Sequence, residues 1–188
     1  MTSKKLVIGV TGMPGSGKSI VLNVALQNGY ESVIMGDEVR EETRKRDLSP
    51  TPENIGKIML ELRQTEGEAV IAKRCLPKIE KTARQKVVVD GIRSLSEVEE
   101  FRKNIKNFTL IAIHSSPETR FKRLFNRQRS DDPKGWMVFR ERDLRELGVG
   151  LGNAIAMSEY IIVNEGELNR TKEDAKAVLK KVEAKWMK

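Results

Sequence analysis

The chain has 188 residues, 38% of them hydrophobic and 33% charged, with a formal net charge of +8 at pH 7. That length suits one domain, residues 1–188, with its own core, and the balance excludes a disordered tail. No apolar run approaches the ~20 residues of a membrane span and the N-terminus lacks a signal peptide's apolar stretch, so a cytoplasmic location with no membrane partner is expected.

Residues 6–10 form the first β-branched run and predict a strand. It leads into Gly12-Met13-Pro14-Gly15-Ser16-Gly17-Lys18-Ser19, and the pattern beyond it predicts a helix over 19–27. A second strand is expected at 32–35 and a helix at 38–46. A long helical stretch follows over 53–84, broken near Gly67 and bent or interrupted at Pro77. The apolar run 86–89 reads as a third strand and ends in Asp90. After it come a helix at 95–103, a strand at 108–113 and a helix at 118–127. An Arg-rich polar stretch, 126–142, overlaps a further helix at 137–147. A last strand at 160–163 and a helix at 172–186 complete the chain. Strands alternating with helices imply a parallel sheet covered on both faces, because parallel neighbours need crossover connections. The expected fold is an α/β/α sandwich with a five-stranded parallel sheet. Residues 49–84 read as a helical insertion and 126–142 as a moving segment.

The glycine segment has the Walker pattern: Gly, four free positions, then Gly-Lys-Ser, directly after a strand and opening a helix. Gly12, Gly15 and Gly17 let the backbone turn its N–H groups around phosphate oxygens, and the helix N-terminus adds its positive end. Lys18 is expected at the β and γ phosphates of ATP, and the Ser19 hydroxyl on Mg²⁺, a metal that prefers oxygen ligands. Asp90, a carboxylate closing an apolar strand, is the second expected Mg²⁺ ligand. Lys and Arg are interleaved with Glu, and only 5% of residues are aromatic, so the positive charge fits small phosphorylated ligands better than nucleic acid. The single cysteine, Cys75, rules out an internal disulfide and a cysteine zinc site and reads as a bystander. His114, the only histidine, closes a strand in a polar turn and reads as structural.

Several further motifs carry a family resemblance. Gly36-Asp37-Glu38-Val39-Arg40 and Asp90-Gly91-Ile92-Arg93 resemble the Gly-Asp-x-x-Arg and Asp-Gly-Phe-Pro-Arg segments of adenylate kinases, with the aromatic and Pro compressed here to Ile92. Arg127-Gln128-Arg129-Ser130-Asp131-Asp132, with Arg140 and Arg142 beyond it, resembles their lid in a short form. The chain thus resembles P-loop nucleoside monophosphate kinases, most closely the archaeal adenylate kinase-related or dephospho-CoA kinase-like proteins. The resemblance implies that Arg40 and Arg93 grip the acceptor's phosphate. It also implies that Arg127, Arg129 and Arg140 close over the triphosphate, with Arg129 and Arg140 acting on the transferring group. The segment 157–166 resembles the last strand and loop of dephospho-CoA kinases and related kinases, which assigns Asn164 and Gly166 to the nucleotide base.

Phosphoryl transfer from ATP to a small phosphorylated acceptor is therefore expected, by a monomer or a homodimer. A monophosphate acceptor is already ionised and needs positioning alone. An acceptor hydroxyl needs a base, for which Asp37 is the candidate. A P-loop NTPase or binding module without a small-molecule acceptor is the alternative of a different class.

Overall fold

The computed structural model describes residues 3–129 and 132–187. Five strands, β1 (Ser3–Thr11), β2 (Glu31–Ile34), β3 (Lys86–Asp90), β4 (Ile105–His114) and β5 (Tyr160–Val163), form one sheet in the order β2-β3-β1-β4-β5. Every neighbouring pair is parallel. Both faces of the sheet are apolar, as crossover helices on both sides require. Leu6, Ile8 and Val10 of β1 pack with Val88, Ile111 and Ile162 on one face, under α1 (Lys18–Gln27) and α9 (Leu168–Trp186). Val7 packs with Val87, Val89 and Leu110 on the other. That second face is covered by α2 (Met35–Lys45), α3 (Pro52–Glu66), α4 (Val70–Lys81), α5 (Leu95–Asn104) and α8 (Leu151–Ala156).

Register aligns the strand ends that matter. Val10 lies opposite Asp90, Thr11 opposite Ala112, Ile34 opposite Asp90 and His114 opposite Val163. The chain leaves β1 toward β2 on one side, while neighbouring β4 leaves toward β5 on the other. In open α/β sheets such a reversal opens a crevice at the carboxyl ends of the strands. Two further helices, α6 (Pro117–Arg127) and α7 (Trp136–Gly148), stand beside that crevice.

Three departures from the sequence reading bear on it. Met35 to Asp37 are already helical, so Gly36 and Asp37 lie in the first turn of α2 instead of a loop. Pro77 sits inside α4 without ending it, because Ile71, Cys75 and Ile79 bury one face of the helix on the core. The six-residue α8 was not legible: it is short, follows Gly148 and Gly150 and contains Gly152, and Leu151 and Ala154 are its buried residues.

Candidate active site

The loop after Thr11 closes tightly on its surroundings. Gly12, Gly15 and Gly17 have φ of 148°, 81° and 103°, a region side chains with a Cβ rarely adopt. A Cβ at Gly12 would lie 2.4 Å from the Ile113 carbonyl oxygen, and one at Gly17 would lie 2.3 Å from Nδ2 of Asn164. Asn164 is buried, and its amide nitrogen donates to the Ser16 carbonyl at 2.8 Å. Its Oδ1 accepts from the Thr171 hydroxyl at 2.9 Å. The residue expected at the nucleotide base therefore spends its amide on holding the glycine loop, although it borders the cleft.

Lys18 donates to the carbonyls of Gly12 at 2.6 Å and Met13 at 3.3 Å. Burial presses its ammonium down to about 8; Asp90 opposes that shift, and Arg93 adds to it. Burial likewise raises the Asp90 carboxyl above the usual carboxylate range, against the pull of Lys18, Arg93 and the Gly91 N–H. Oδ1 of Asp90 and Oγ of Ser16 are buried without a partner among the described residues.

These groups belong to a cleft of about 540 Å³. It is lined by Lys18 and Ser19, by Asp90 and Arg93, by Arg123, Arg127 and Arg129, by Arg142, and by Asn164 and Gly166. Pro14, Gly15 and Gly17 of the loop and the apolar Ile20, Leu124 and Leu168 complete the lining. The Ser19 hydroxyl and the Asp90 carboxylate fit a hard, oxygen-seeking cation. Among the described residues no group of three His, Cys, Asp or Glu could hold a metal alone. A Mg²⁺ here would take its remaining ligands from phosphate oxygens and water, its usual habit.

Helix α7 frames the cleft through residues on one face. Phe139, Arg142, Asp143 and Glu146 recur at three- and four-residue steps and so point the same way. Phe139 is buried against Phe121, centroids 5.5 Å apart. Asp143 takes a two-point bond from Arg120, Nη1 at 2.8 Å and Nη2 at 2.5 Å. Arg120 also donates to the carbonyls of Pro14, at 3.2 Å, and Ser115, at 3.1 Å, so α7 is fastened to the glycine loop itself. Glu146 accepts from Arg93 Nη1 at 2.5 Å. Arg142 faces the cleft near Lys18.

Arg140 does not reach the site. It lies two residues, about 200° of helix rotation, from Arg142, and is exposed outside the cleft lining. The arginine that α7 presents is Arg142. Asp37 and Arg40 also stand apart: they are exposed on α2, paired with each other at 2.6 Å, and neither lines the cleft. Arg127 and Arg129 do line it. Arg127 is braced by Asp132, Nη2 to Oδ1 at 2.5 Å and Nε to Oδ2 at 2.9 Å. Ser130 and Asp131 lie outside the described residues. His114 is exposed at the end of β4 and is not among the cleft residues. Cys75 is buried, its thiol pushed up to about 12 by burial. Sequence reading missed Arg123 as a cleft residue, as well as the Arg120–Asp143 and Arg93–Glu146 pairs. The Arg120, Arg123 and Arg127 spacing on α6 was the available signal.

A parallel five-stranded sheet in this order, with a glycine loop opening α1 and a strand-end carboxylate beside it, defines an α/β P-loop NTPase fold. The chain belongs to the AAA domain family, which matches residues 11–140, and to the UPF0200 proteins. It is 46% identical over 178 residues to a UPF0200 protein of Hyperthermus butylicus, covering 95% of each chain. It is 53% identical over 162 residues to one of Methanocaldococcus jannaschii, covering 85% of this chain and 82% of that one. Among solved structures the fold resembles a gluconokinase from Sinorhizobium meliloti, with TM-score 0.59, 16% identity, and 97% and 95% of the two chains covered. It also resembles a shikimate kinase from Bacteroides thetaiotaomicron, with TM-score 0.58, 14% identity, and 93% and 98% covered. At those identities the likeness concerns the fold alone. Among the described residues no helix is long and apolar enough to cross a membrane.

Proposed function

We propose that the cleft binds ATP with Mg²⁺ and transfers the γ-phosphoryl group to a small phosphorylated acceptor, a nucleoside monophosphate in the first instance. The observation that carries this reading is the charge of the lining: Lys18, Arg93, Arg123, Arg127, Arg129 and Arg142 face Asp90, and with Glu146 paired to Arg93 and Asp132 to Arg127 the six cations still outnumber the three carboxylates two to one. That is more cationic charge than one Mg²⁺-bound triphosphate uses, and guanidinium groups suit the paired oxygens of phosphate. The glycine loop and Lys18 hold the triphosphate, and Ser19 and Asp90 hold the metal, which when bound neutralises charge on the phosphates. Arg142 and Arg129 meet charge developing on the transferring group. Arg93, next to Asp90 at the strand end, grips the acceptor. Asp37, the base that a hydroxyl acceptor calls for, stands outside the cleft in its pair with Arg40. This favours an acceptor already ionised. Residues 49–84 would contribute the remaining acceptor contacts and 126–142 the cover.

The test is ATP consumption with and without nucleoside monophosphates, dephospho-CoA and, in view of the fold neighbours, gluconate and shikimate. A monophosphate is expected to accelerate it. Slow hydrolysis that no acceptor changes would replace the kinase reading with that of an NTPase. Steeply salt-dependent oligonucleotide binding, with mononucleotides ignored, would overturn both.

A further inference from the structure

The segment between β3 and α5 carries Arg93 to the cleft, and its backbone is held from inside the protein. Glu97 is 1% exposed; its Oε2 accepts the N–H of Arg93 at 2.8 Å and that of Ser94 at 3.2 Å. Ser94 returns a cap to the Glu97 N–H at 3.3 Å. For that box alone a neutral Gln at position 97 would serve. The carboxylate's other oxygen, Oε1, accepts Nη2 of Arg63 at 2.7 Å. Arg63 arrives from α3, 34 positions away in the chain.

Arg63 is a costly residue for this place. Its side chain is 5% exposed, and Nε and Nη1 are buried without a hydrogen-bond partner among the described residues. Unpaired buried donors cost free energy, and apolar residues of similar volume often match or improve on a buried ion pair. What the pair adds is a fixed connection, running from α3 through Glu97 to the backbone of Arg93. Ile92, just before it, is held separately: its side chain is in the core and its carbonyl accepts the Thr11 hydroxyl at 2.9 Å.

We propose that Arg63 is a positioning residue which, through Glu97, fixes the backbone of Arg93, so that α3 and the acceptor-gripping arginine keep one relative position. This rests on the reading of Arg93 given above. Glu97 uses only one N–H of Arg63, so a lysine, a single-point cation, should retain the function and a methionine should not.

The experiment compares wild type, Arg63→Met, Arg63→Lys and the double variant Arg63→Met with Glu97→Gln. The double variant removes the stranded buried carboxylate, so it stays folded if Arg63→Met alone does not. Amide hydrogen exchange is followed residue by residue, and AMP is titrated calorimetrically with a non-hydrolysable ATP analogue present. In the methionine variants exchange at Arg93 and Ser94 should quicken about tenfold or more while the β1 and β4 amides stay protected. AMP binding should weaken roughly tenfold, with affinity for the ATP analogue unchanged. Arg63→Lys should restore both. Unchanged exchange at Arg93 and Ser94 in a folded methionine variant overturns the proposal, and so does a uniform loss of protection that lysine does not repair. If wild type binds neither AMP nor any other monophosphate, the reading of Arg93 fails, and the exchange data still decide the role of Arg63.

Discussion

Replacing Asp143 with Ala tests how α7 is held to the glycine loop. The wild-type pair is buried at Arg120, 4% side-chain exposure, and largely covered at Asp143, 14%, and is joined by two bonds of 2.8 and 2.5 Å. Removing one partner of a buried pair costs about 3–5 kcal/mol, because the other charge is left uncompensated. Here Arg120 keeps two carbonyl acceptors, on Pro14 and Ser115, which argues for the lower end, about 3 kcal/mol. In a chain of this size each kcal/mol lowers the melting temperature by about 2–4 °C, so Asp143→Ala should melt about 6–12 °C below wild type. Asp143→Asn keeps one acceptor oxygen and should lie between the two. Circular dichroism or scanning calorimetry at neutral pH reads the shift directly. A loss below about 2 °C would mean that the pair behaves like an exposed ion pair. In that case α7 is not anchored through Arg120.

Three other outcomes are expected. Lys18→Ala should abolish ATP-dependent phosphoryl transfer and leave the melting temperature within a few degrees of wild type; retained turnover would remove Lys18 from the chemistry. Glu146→Gln takes a counter-ion from Arg93, whose side chain is 44% exposed, so the exchange is worth at most about 1 kcal/mol and should tighten AMP binding about two- to fivefold. Arg93→Ala should weaken it while sparing the ATP analogue, and weaker binding in Glu146→Gln would show that Glu146 orients Arg93 instead of competing for it. Lys18 sits near 8, below its ordinary range, so it is charged below that pH and loses its proton as pH rises through it. Affinity for the ATP analogue should then fall by up to about tenfold per pH unit above 8, and Lys18→Arg should flatten the profile. A flat wild-type profile between pH 7 and 9 would contradict a Lys18 ammonium that titrates near 8.

The fold and the glycine-loop side of the cleft were legible in the sequence because their signals are local. Gly12 to Ser19 act through backbone turns within eight residues, Asp90 through its place at a strand end, and the strand-helix alternation through periods of two and 3.6 residues. Such features need no partner elsewhere to be recognised. The facing of α7 was not legible. Arg140 and Arg142 are equivalent as letters, and only the packing of Phe139 on Phe121 and the bond from Asp143 to Arg120 turn Arg142 inward and leave Arg140 in solvent. The work of Asn164 was equally hidden, since its partner, the Ser16 carbonyl, lies 148 positions away. Arg40 carried a fitting motif, yet its nearest carboxylate, Asp37, holds it on the exposed face of α2. Spacing along a chain determines which groups a short segment can present; tertiary packing decides which of them meet, because burial and distant counter-charges select one face of each helix.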